Sequence, residues 1–101
     1  MFYNVLELKE LVDSKEHKLD KKILLERGES SLSAIALKKD EIIENHTSVC
    51  DACAIVYDGE AEFHFNAEKF TVKKGEVIMF EKEKEHKVLA IKDTKFLLIK
   101  I

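Results

Sequence analysis

An Asp58-Gly59 dipeptide lies at the centre of the stretch from Ala52 to Phe65, which reads ACAIVYDGEAEFHF. Apolar, strand-favouring residues flank the dipeptide on both sides, and glycine accepts the positive φ that a tight turn requires. This combination is the strongest short-range sequence signal for a β-hairpin. It predicts an antiparallel β structure in the middle of the chain.

Short apolar segments with strand-like alternation recur along the rest of the sequence, and turn residues separate them. Together with the two arms of the predicted hairpin, they amount to eight or nine strands. Connections this short exclude a parallel α/β architecture, because parallel strands need crossover connections of a dozen or more residues. The pattern predicts an all-β sandwich or barrel. The additional predicted strands cover residues 23–26, 31–38, 42–46, 69–72, 76–80, 86–91 and 95–101.

The first 22 residues have a different pattern from the rest. Asn4 and Glu7 have the spacing of a capping box, and the apolar residues Val5, Leu8, Leu11 and Val12 recur at helical spacing. A helix is therefore expected over residues 5–12, followed by a polar connection that ends at residue 22. With 101 residues, we expect one domain over residues 1–101, of which residues 23–101 form the β-barrel.

Several predicted strands are apolar on both faces. A closed barrel buries only its inner face, so the helix, a sheet edge or a second subunit must cover the other. We expect a homodimer formed through the outer face of one sheet, with Ile55 and Tyr57 packed in the interface. In the central strand the opposed sets are Ala52, Ala54 and Val56 on one face and Cys53, Ile55 and Tyr57 on the other.

Charge and composition restrict the choice of partner and compartment. The net charge is -3, and lysine and glutamate are interleaved, so no basic field is available to hold a nucleic acid backbone. The apolar runs are far shorter than the roughly 20 residues needed to cross a bilayer. The N-terminus lacks the features of a signal peptide. We therefore expect a cytoplasmic protein that binds neither nucleic acid nor membrane, with Cys50 and Cys53 as reduced thiols.

The positions of histidine and glycine resemble the two motifs of a small single-domain cupin, a family with a double-stranded β-helix or jelly-roll barrel. The first motif, G-x5-H-x-H-x3-4-E-x6-G, falls on residues 40–59, with His46 at its first histidine and Gly59 at its last glycine. The second, G-x5-P-x-G-x2-H-x3-N, falls on residues 75–90, with Gly75 at its glycine and His86 at its histidine. The resemblance implies that both histidines lie at one mouth of the barrel.

The chain departs from both motifs at the positions that carry the family's chemistry. Ser48 replaces the second histidine and Ala52 replaces the glutamate, whereas metal-dependent cupins hold their ion with three histidines and one glutamate. The sequence HTSVCDA over residues 46–52 also resembles a narrower group of small cupins that lack these two ligands. The second motif is altered as well. Its proline, glycine and asparagine are replaced by Glu81, Glu83 and Ala90.

The leading functional hypothesis is binding of a small molecule in a pocket between the two sheets, beside a degenerate metal site. The alternative is a metal-dependent isomerase, decarboxylase or dioxygenase that uses His46 and His86 to hold zinc, iron, manganese or nickel. A third hypothesis is a structural dimer with an inert core. The predicted pocket is lined by His46, Ser48, Ala52, Ala54, Val56, Met79 and His86.

Neighbouring residues leave further alternatives open. Cys50 and Cys53 form a CxxC pair, so Cys50 is a candidate third metal ligand, although packing of two small apolar side chains is the favoured explanation of the pair. Asp51 is either a general base or a residue that caps backbone amides. The EKEKE run over residues 81–85 is either a solvated loop or the source of a carboxylate for His86.

Overall fold

The computed structural model describes residues 3–101, and strands dominate the fold. Every paired strand runs antiparallel to its neighbours, as predicted from the short connections. The nine strands, numbered in chain order, are β1 (Leu19–Arg27), β2 (Ser30–Leu37), β3 (Ile42–His46), β4 (Ala52–Asp58), β5 (Glu60–Phe65), β6 (Glu68–Lys73), β7 (Val77–Phe80), β8 (His86–Ala90) and β9 (Thr94–Lys100).

The strands form two sheets that face each other. The five-stranded sheet has the order β1-β2-β9-β4-β7, and the four-stranded sheet has the order β3-β8-β5-β6. Neighbours in each sheet are mostly distant in the sequence, because the chain repeatedly crosses from one sheet to the other. This is the jelly-roll arrangement expected for the fold class.

The N-terminal prediction is only partly correct. Instead of a helix over residues 5–12, the chain forms a single 3-10 turn, Leu8–Glu10, and no side chain caps its start. The first strand begins at Leu19, four residues before the predicted start of the barrel. The charged residues at the start of this strand do not show apolar alternation, so the pattern did not predict it. An edge strand with one solvated side tolerates such residues. Residues 1 and 2 of the predicted N-terminal region lie outside the described residues. No described residue belongs to a helix long and apolar enough to span a membrane.

The Asp58-Gly59 turn is not a hairpin. Its two flanking strands lie in different sheets: β4 pairs with β7 and β9, whereas β5 pairs with β6 and β8. Gly59, at φ +83°, therefore forms a corner where the chain passes between the sheets. The tight hairpin in this region is the next turn, Asn66-Ala67, which joins Phe65 to its partner Glu68. Strand propensity around a turn does not distinguish a hairpin from such a corner.

The main core lies between the sheets. Alternation places Ala52, Ala54 and Val56 of β4 on the inner face, where they are buried. Phe96 of β9 lies beside them in the same sheet, and Phe63 of β5 faces it from the other sheet, with ring centroids 6.0 Å apart. The inner faces of the two sheets thus form one continuous apolar core.

A second, smaller cluster lies on the outer face of the five-stranded sheet. Val12 is buried there against Ala34 and Ala36 of β2. The N-terminal segment therefore covers part of this face, which is one of the three covers that the sequence left open. Tyr57 is half-buried on the same face of β4, and burial raises the pKa of its phenol.

Candidate functional site

Two histidines meet where β3 ends and β8 begins. His46 and His86 are direct Cα partners in the antiparallel β3–β8 pair. Their ring centroids lie 4.1 Å apart, with an angle of 60° between the ring planes. His46 is exposed, whereas only 4% of His86 is accessible. The structure thus brings the two motif histidines together, one at the surface and one beneath it.

Both histidines are held by the same kind of hydrogen bond. The Nδ1 atom of His46 lies 2.8 Å from the carbonyl oxygen of Glu44, and Nδ1 of His86 lies 2.8 Å from that of Lys84. A carbonyl oxygen can only accept, so in each ring Nδ1 carries the proton and donates it. In the neutral rings Nε2 is therefore an unprotonated acceptor. This arrangement orients a histidine toward a metal ion or toward a hydrogen-bond donor on a ligand.

The environment of His86 favours its neutral form. Burial lowers the pKa of this histidine, and the charges of His46 and Lys100 lower it further, while the bond to the Lys84 carbonyl acts in the opposite direction. The His86 ring packs against two aromatic rings, with centroid distances of 4.6 Å to Phe80 and 5.6 Å to Phe65. A neutral imidazole beside two aromatic rings accepts a hydrogen bond rather than pairing with an anion.

The aromatic rings beside His86 form one wall of an open cleft. The cleft has a volume of about 510 Å³ and lies between the edge strands β6 and β7. Phe65 packs on Phe70 at 6.0 Å and on Phe80 at 5.2 Å, so a chain of rings leads from the cleft to His86. The lining residues are Phe65, Asn66, Ala67, Glu68, Phe70, Ile78, Met79, Phe80, Glu81 and Lys84.

The full metal site of metal-dependent cupins does not fit this chain. Within residues 3–101, no group of three or more histidine, cysteine, aspartate or glutamate side chains is placed to hold a metal ion. Ser48 uses its hydroxyl to accept a hydrogen bond from the Cys50 amide, and Ala52 supplies no ligand atom. Only His46 and His86 of the four family positions have side chains suited to a transition metal.

The cysteines and Asp51 have structural contacts of their own. The Cys50 thiol is buried and donates to the carbonyl oxygen of Glu29 at 3.3 Å, in the turn between β1 and β2. Cys53 is half-buried on the outer face of β4. Asp51 accepts a hydrogen bond from the Lys82 amide at 2.9 Å. Asp51 therefore caps a backbone amide, and this amide belongs to the charged loop of residues 81–85 rather than to the turn before its own strand.

Apart from Ser48, the predicted pocket residues divide into three sets. His46 and His86 lie together, and Ala52, Ala54 and Val56 face the interior as expected, although the last two are fully buried in the core. Met79 was expected inside but is 75% exposed, because it pairs with Cys53 and shares its outward face. Its neighbour Phe80 takes the inner position. The strand VIMF is apolar at every residue, so alternation alone could not select the correct face.

At two positions where the cupin motifs have glycine, this chain has another residue with a positive φ. Asp40 stands at the first position of the first motif and has φ +72°, and Glu83 stands at the central glycine of the second motif and has φ +62°. The Glu83 amide donates to the carbonyl oxygen of Ser48 at 2.7 Å. The loops of the two motifs are thus joined directly through their backbones.

Comparison with protein families supports this assignment of motifs. The cupin domain family model matches residues 35–101, which is most of the chain. The chain belongs to the cupin family. The matched region begins within β2 and includes both histidines, the Gly59 corner and the cleft. Among functionally curated proteins, none matches this cupin.

Solved structures agree with the same fold. A conserved protein of unknown function from Streptococcus pyogenes is 24% identical, with a TM-score of 0.90 over 100% of this cupin and 89% of its own chain. A cupin superfamily protein from Desulfitobacterium hafniense is 20% identical, with a TM-score of 0.90 over 100% and 93% of the two chains. A cupin 2 conserved barrel domain protein from Leptotrichia buccalis is 28% identical, with a TM-score of 0.87 over 95% of this cupin and 47% of that chain.

Sequence reasoning missed the aromatic part of the site. Phe65, Phe70 and Phe80 belong to three strands. Their contacts depend on the pairing of β5 with β6 and on the packing of β7 from the other sheet. The alternation of Phe63 and Phe65 along β5 was a usable signal, because it assigns both rings to the inner face. The position of Phe80 could be found only once its pairing with Ala52 was known.

Proposed function

We propose that this cupin binds a small organic molecule with an apolar or aromatic body in the cleft between β6 and β7. The observation that carries the proposal is the continuous series of rings from Phe70 through Phe65 and Phe80 to His86. Ligand sites are typically concave and mostly apolar, with a few polar groups that orient the ligand. Here Asn66 and Lys84 supply polar groups at the rim of the cleft.

The histidine pair adds a second means of recognition. Since Nδ1 of each ring donates to a carbonyl oxygen, a ring in its neutral form offers Nε2 as an acceptor. A ligand group that donates a hydrogen bond, such as a hydroxyl or an ammonium, suits them better than a carboxylate does. The proposed location is the cytoplasm, where the free thiols of Cys50 and Cys53 remain reduced.

The proposal is tested by thermal-shift screening of a library of small aromatic and alicyclic compounds, with Phe70→Ala as the site variant. Phe70 lines the cleft and is 44% exposed, so its truncation leaves the core intact. Val49→Ala is the control, because Val49 is 62% exposed and does not line the cleft. A compound at 100 times its Kd stabilises the native state by about 2.7 kcal/mol.

We expect such a compound to raise the Tm of the wild type and the control, and to do so less in Phe70→Ala. Equal shifts in all three proteins, or no shift with any compound, would contradict binding in this cleft.

A metal-dependent enzyme is the second candidate, and the shared Nδ1 anchoring of His46 and His86 favours it. A bound divalent metal would supply Lewis acidity, but the chain provides only these two of the family's four ligands. Elemental analysis of tag-free protein tests this candidate. Near-stoichiometric metal that is lost in His46→Ala and in the His46→Ala/His86→Ala double variant would support it, and a metal-free wild type would refute it.

A further inference from the structure

The cleft between β6 and β7, hereafter the aromatic cleft, is lined by phenylalanine rings from three different strands. Phe65 of β5 packs against both Phe70 of β6 and Phe80 of β7. The planes of these two rings are inclined to that of Phe65 by 67° and 61°. Each of the three side chains is at least partly exposed. The rings thus form a curved aromatic wall that a ligand can contact.

An aromatic wall of this kind attracts positive charge. The face of an aromatic ring carries a negative partial charge, and a cation within about 6 Å of the ring centroid is stabilised by it. A quaternary ammonium group suits such a wall well, because its methyl groups also bury apolar surface there. A neutral group of the same shape gains only the apolar contact. The rings therefore favour a cation over its uncharged isostere.

The charged side chains on the lining of the aromatic cleft have the complementary sign. Glu68 and Glu81 are exposed there, and Lys84 is the one basic residue among the lining residues. Within residues 3–101, neither carboxylate takes part in an ion pair shorter than 4.0 Å. Lys69 follows Glu68 but points to the other face of β6, where its Nζ lies 3.8 Å from Glu62. Both carboxylates are thus available to a cationic ligand.

The histidine behind the rings adds no opposing charge. His86 packs against Phe80 and Phe65, and its Nδ1 donates to the carbonyl oxygen of Lys84. Burial lowers the pKa of His86, so its neutral form predominates at neutral pH. A cation against the aromatic wall therefore meets carboxylates at the rim and an uncharged imidazole behind the rings.

We propose that the ligand of the aromatic cleft is a small alkylammonium compound. Its quaternary ammonium group packs against Phe65, Phe70 and Phe80, with the carboxylates of Glu68 and Glu81 at the open side of the cleft. This inference rests on the proposed binding function and adds the charge and the head group of the ligand. An anionic ligand would meet two like charges in the same place.

Isothermal titration calorimetry at low ionic strength tests the charge of the ligand. The two probes are choline and its neutral carbon analogue, in which a tert-butyl group replaces the trimethylammonium group. We expect choline to bind about tenfold more tightly, a difference of about 1.4 kcal/mol, because only choline interacts electrostatically with the rings and carboxylates. Added salt should weaken the binding of choline and leave that of the analogue unchanged.

Three variants assign this preference to the cleft. Phe70→Leu keeps an apolar side chain but removes the ring, and Glu68→Gln keeps the shape but removes the charge. Each should raise the Kd of choline about threefold or more without changing that of the analogue. Glu26→Gln is the matched control, because Glu26 is an exposed carboxylate on β1, outside the cleft.

Lys84→Gln is the third variant and should act in the opposite direction. It removes the opposing charge and keeps the Lys84 carbonyl that holds His86. We expect the Kd of choline to fall about threefold. A variant that merely disturbed the cleft would not bind choline more tightly.

Equal affinities for choline and the analogue would overturn the ammonium assignment and leave the cleft as a ligand site. An equal effect of Glu68→Gln and Glu26→Gln would overturn it as well, and so would the absence of choline binding at millimolar concentration. In that last case the thermal-shift screen separates the two proposals. Phe70-dependent shifts with neutral compounds would retain the binding function alone, whereas a screen without any shift would refute both.

Discussion

Glu83 occupies a left-handed backbone conformation that a non-glycine residue adopts at a cost of about 1–2 kcal/mol. Its side chain is exposed, and its amide, which donates to the Ser48 carbonyl, is retained in any substitution except proline. We therefore expect Glu83→Gly to raise the free energy of unfolding by about 0.5–1 kcal/mol, after the greater flexibility of glycine in the unfolded chain is deducted.

Urea denaturation would measure this change. Glu85→Gly is the control, because Glu85 lies in the same exposed loop without a positive φ, and it should lose about 0.4–1 kcal/mol. Equal losses in the two variants would show that the conformation at residue 83 carries no strain.

The lowered pKa of His86 predicts a pH-dependent stability of the metal-free protein. In the unfolded chain a histidine titrates near 6.5, whereas burial holds the folded-state pKa below that value. As the pH falls from about 6.5 through the folded pKa, the unfolded state takes up a proton that the native state does not, and the free energy of unfolding decreases. Denaturant unfolding at several pH values should show this decrease.

His86→Phe should flatten the pH dependence in this window, since phenylalanine cannot be protonated and preserves the aromatic packing with Phe65 and Phe80. His17→Gln, at an exposed histidine, should retain the slope of the wild type because it leaves His86 in place. If His86→Phe keeps the full slope, the titration belongs to another group.

At the scale of the elements, the Gly59 corner between the sheets leaves no room for a side chain. A Cβ at this position would clash with the carbonyl oxygen of Asp93 and lie 2.8 Å from Thr94, in addition to the strain of φ +83°. The buried Thr94 hydroxyl accepts a hydrogen bond from the Glu60 amide and donates one to the Lys92 carbonyl. The backbone there cannot move away from an added Cβ without losing these hydrogen bonds.

We expect Gly59→Ala to destabilise the protein by more than Gly75→Ala. Gly75 also has a positive φ, +89°, but nothing lies within 4 Å of its added Cβ. The Gly75 variant should therefore lose only the conformational term, about 1–3 kcal/mol, and the Gly59 variant several kcal/mol or its fold. Thermal unfolding of the two variants makes the comparison. Similar Tm values would mean that the chain relaxes around residue 59.

The elements differ in how far the sequence predicts them. The strands follow from alternation and turn residues, and the family motifs predicted that His46 and His86 would meet. The corner at Gly59, the outward position of Met79 and the aromatic cleft were not accessible in this way. Each depends on which distant strand becomes a neighbour, and local propensity contains no information about that choice.

At the scale of the whole molecule, the two faces of the five-stranded sheet have different roles. Its inner face contributes Ala54, Val56 and Phe96 to the core, and its outer face exposes Leu25 and Met79 at its two sides. The aromatic cleft opens between the edge strands β6 and β7, and Met79 borders both the cleft and the outer face.

The repeated crossing between sheets also affects how fast the chain can reach this structure. Among the nine strands of residues 3–101, only β1–β2 and β5–β6 are both consecutive and paired. Every other pairing requires a longer loop to close before its contacts form, and such topologies fold in milliseconds to seconds rather than microseconds. The Asn66-Ala67 hairpin is one of the two places where pairing is local, so it is a natural starting point for the folding of the four-stranded sheet.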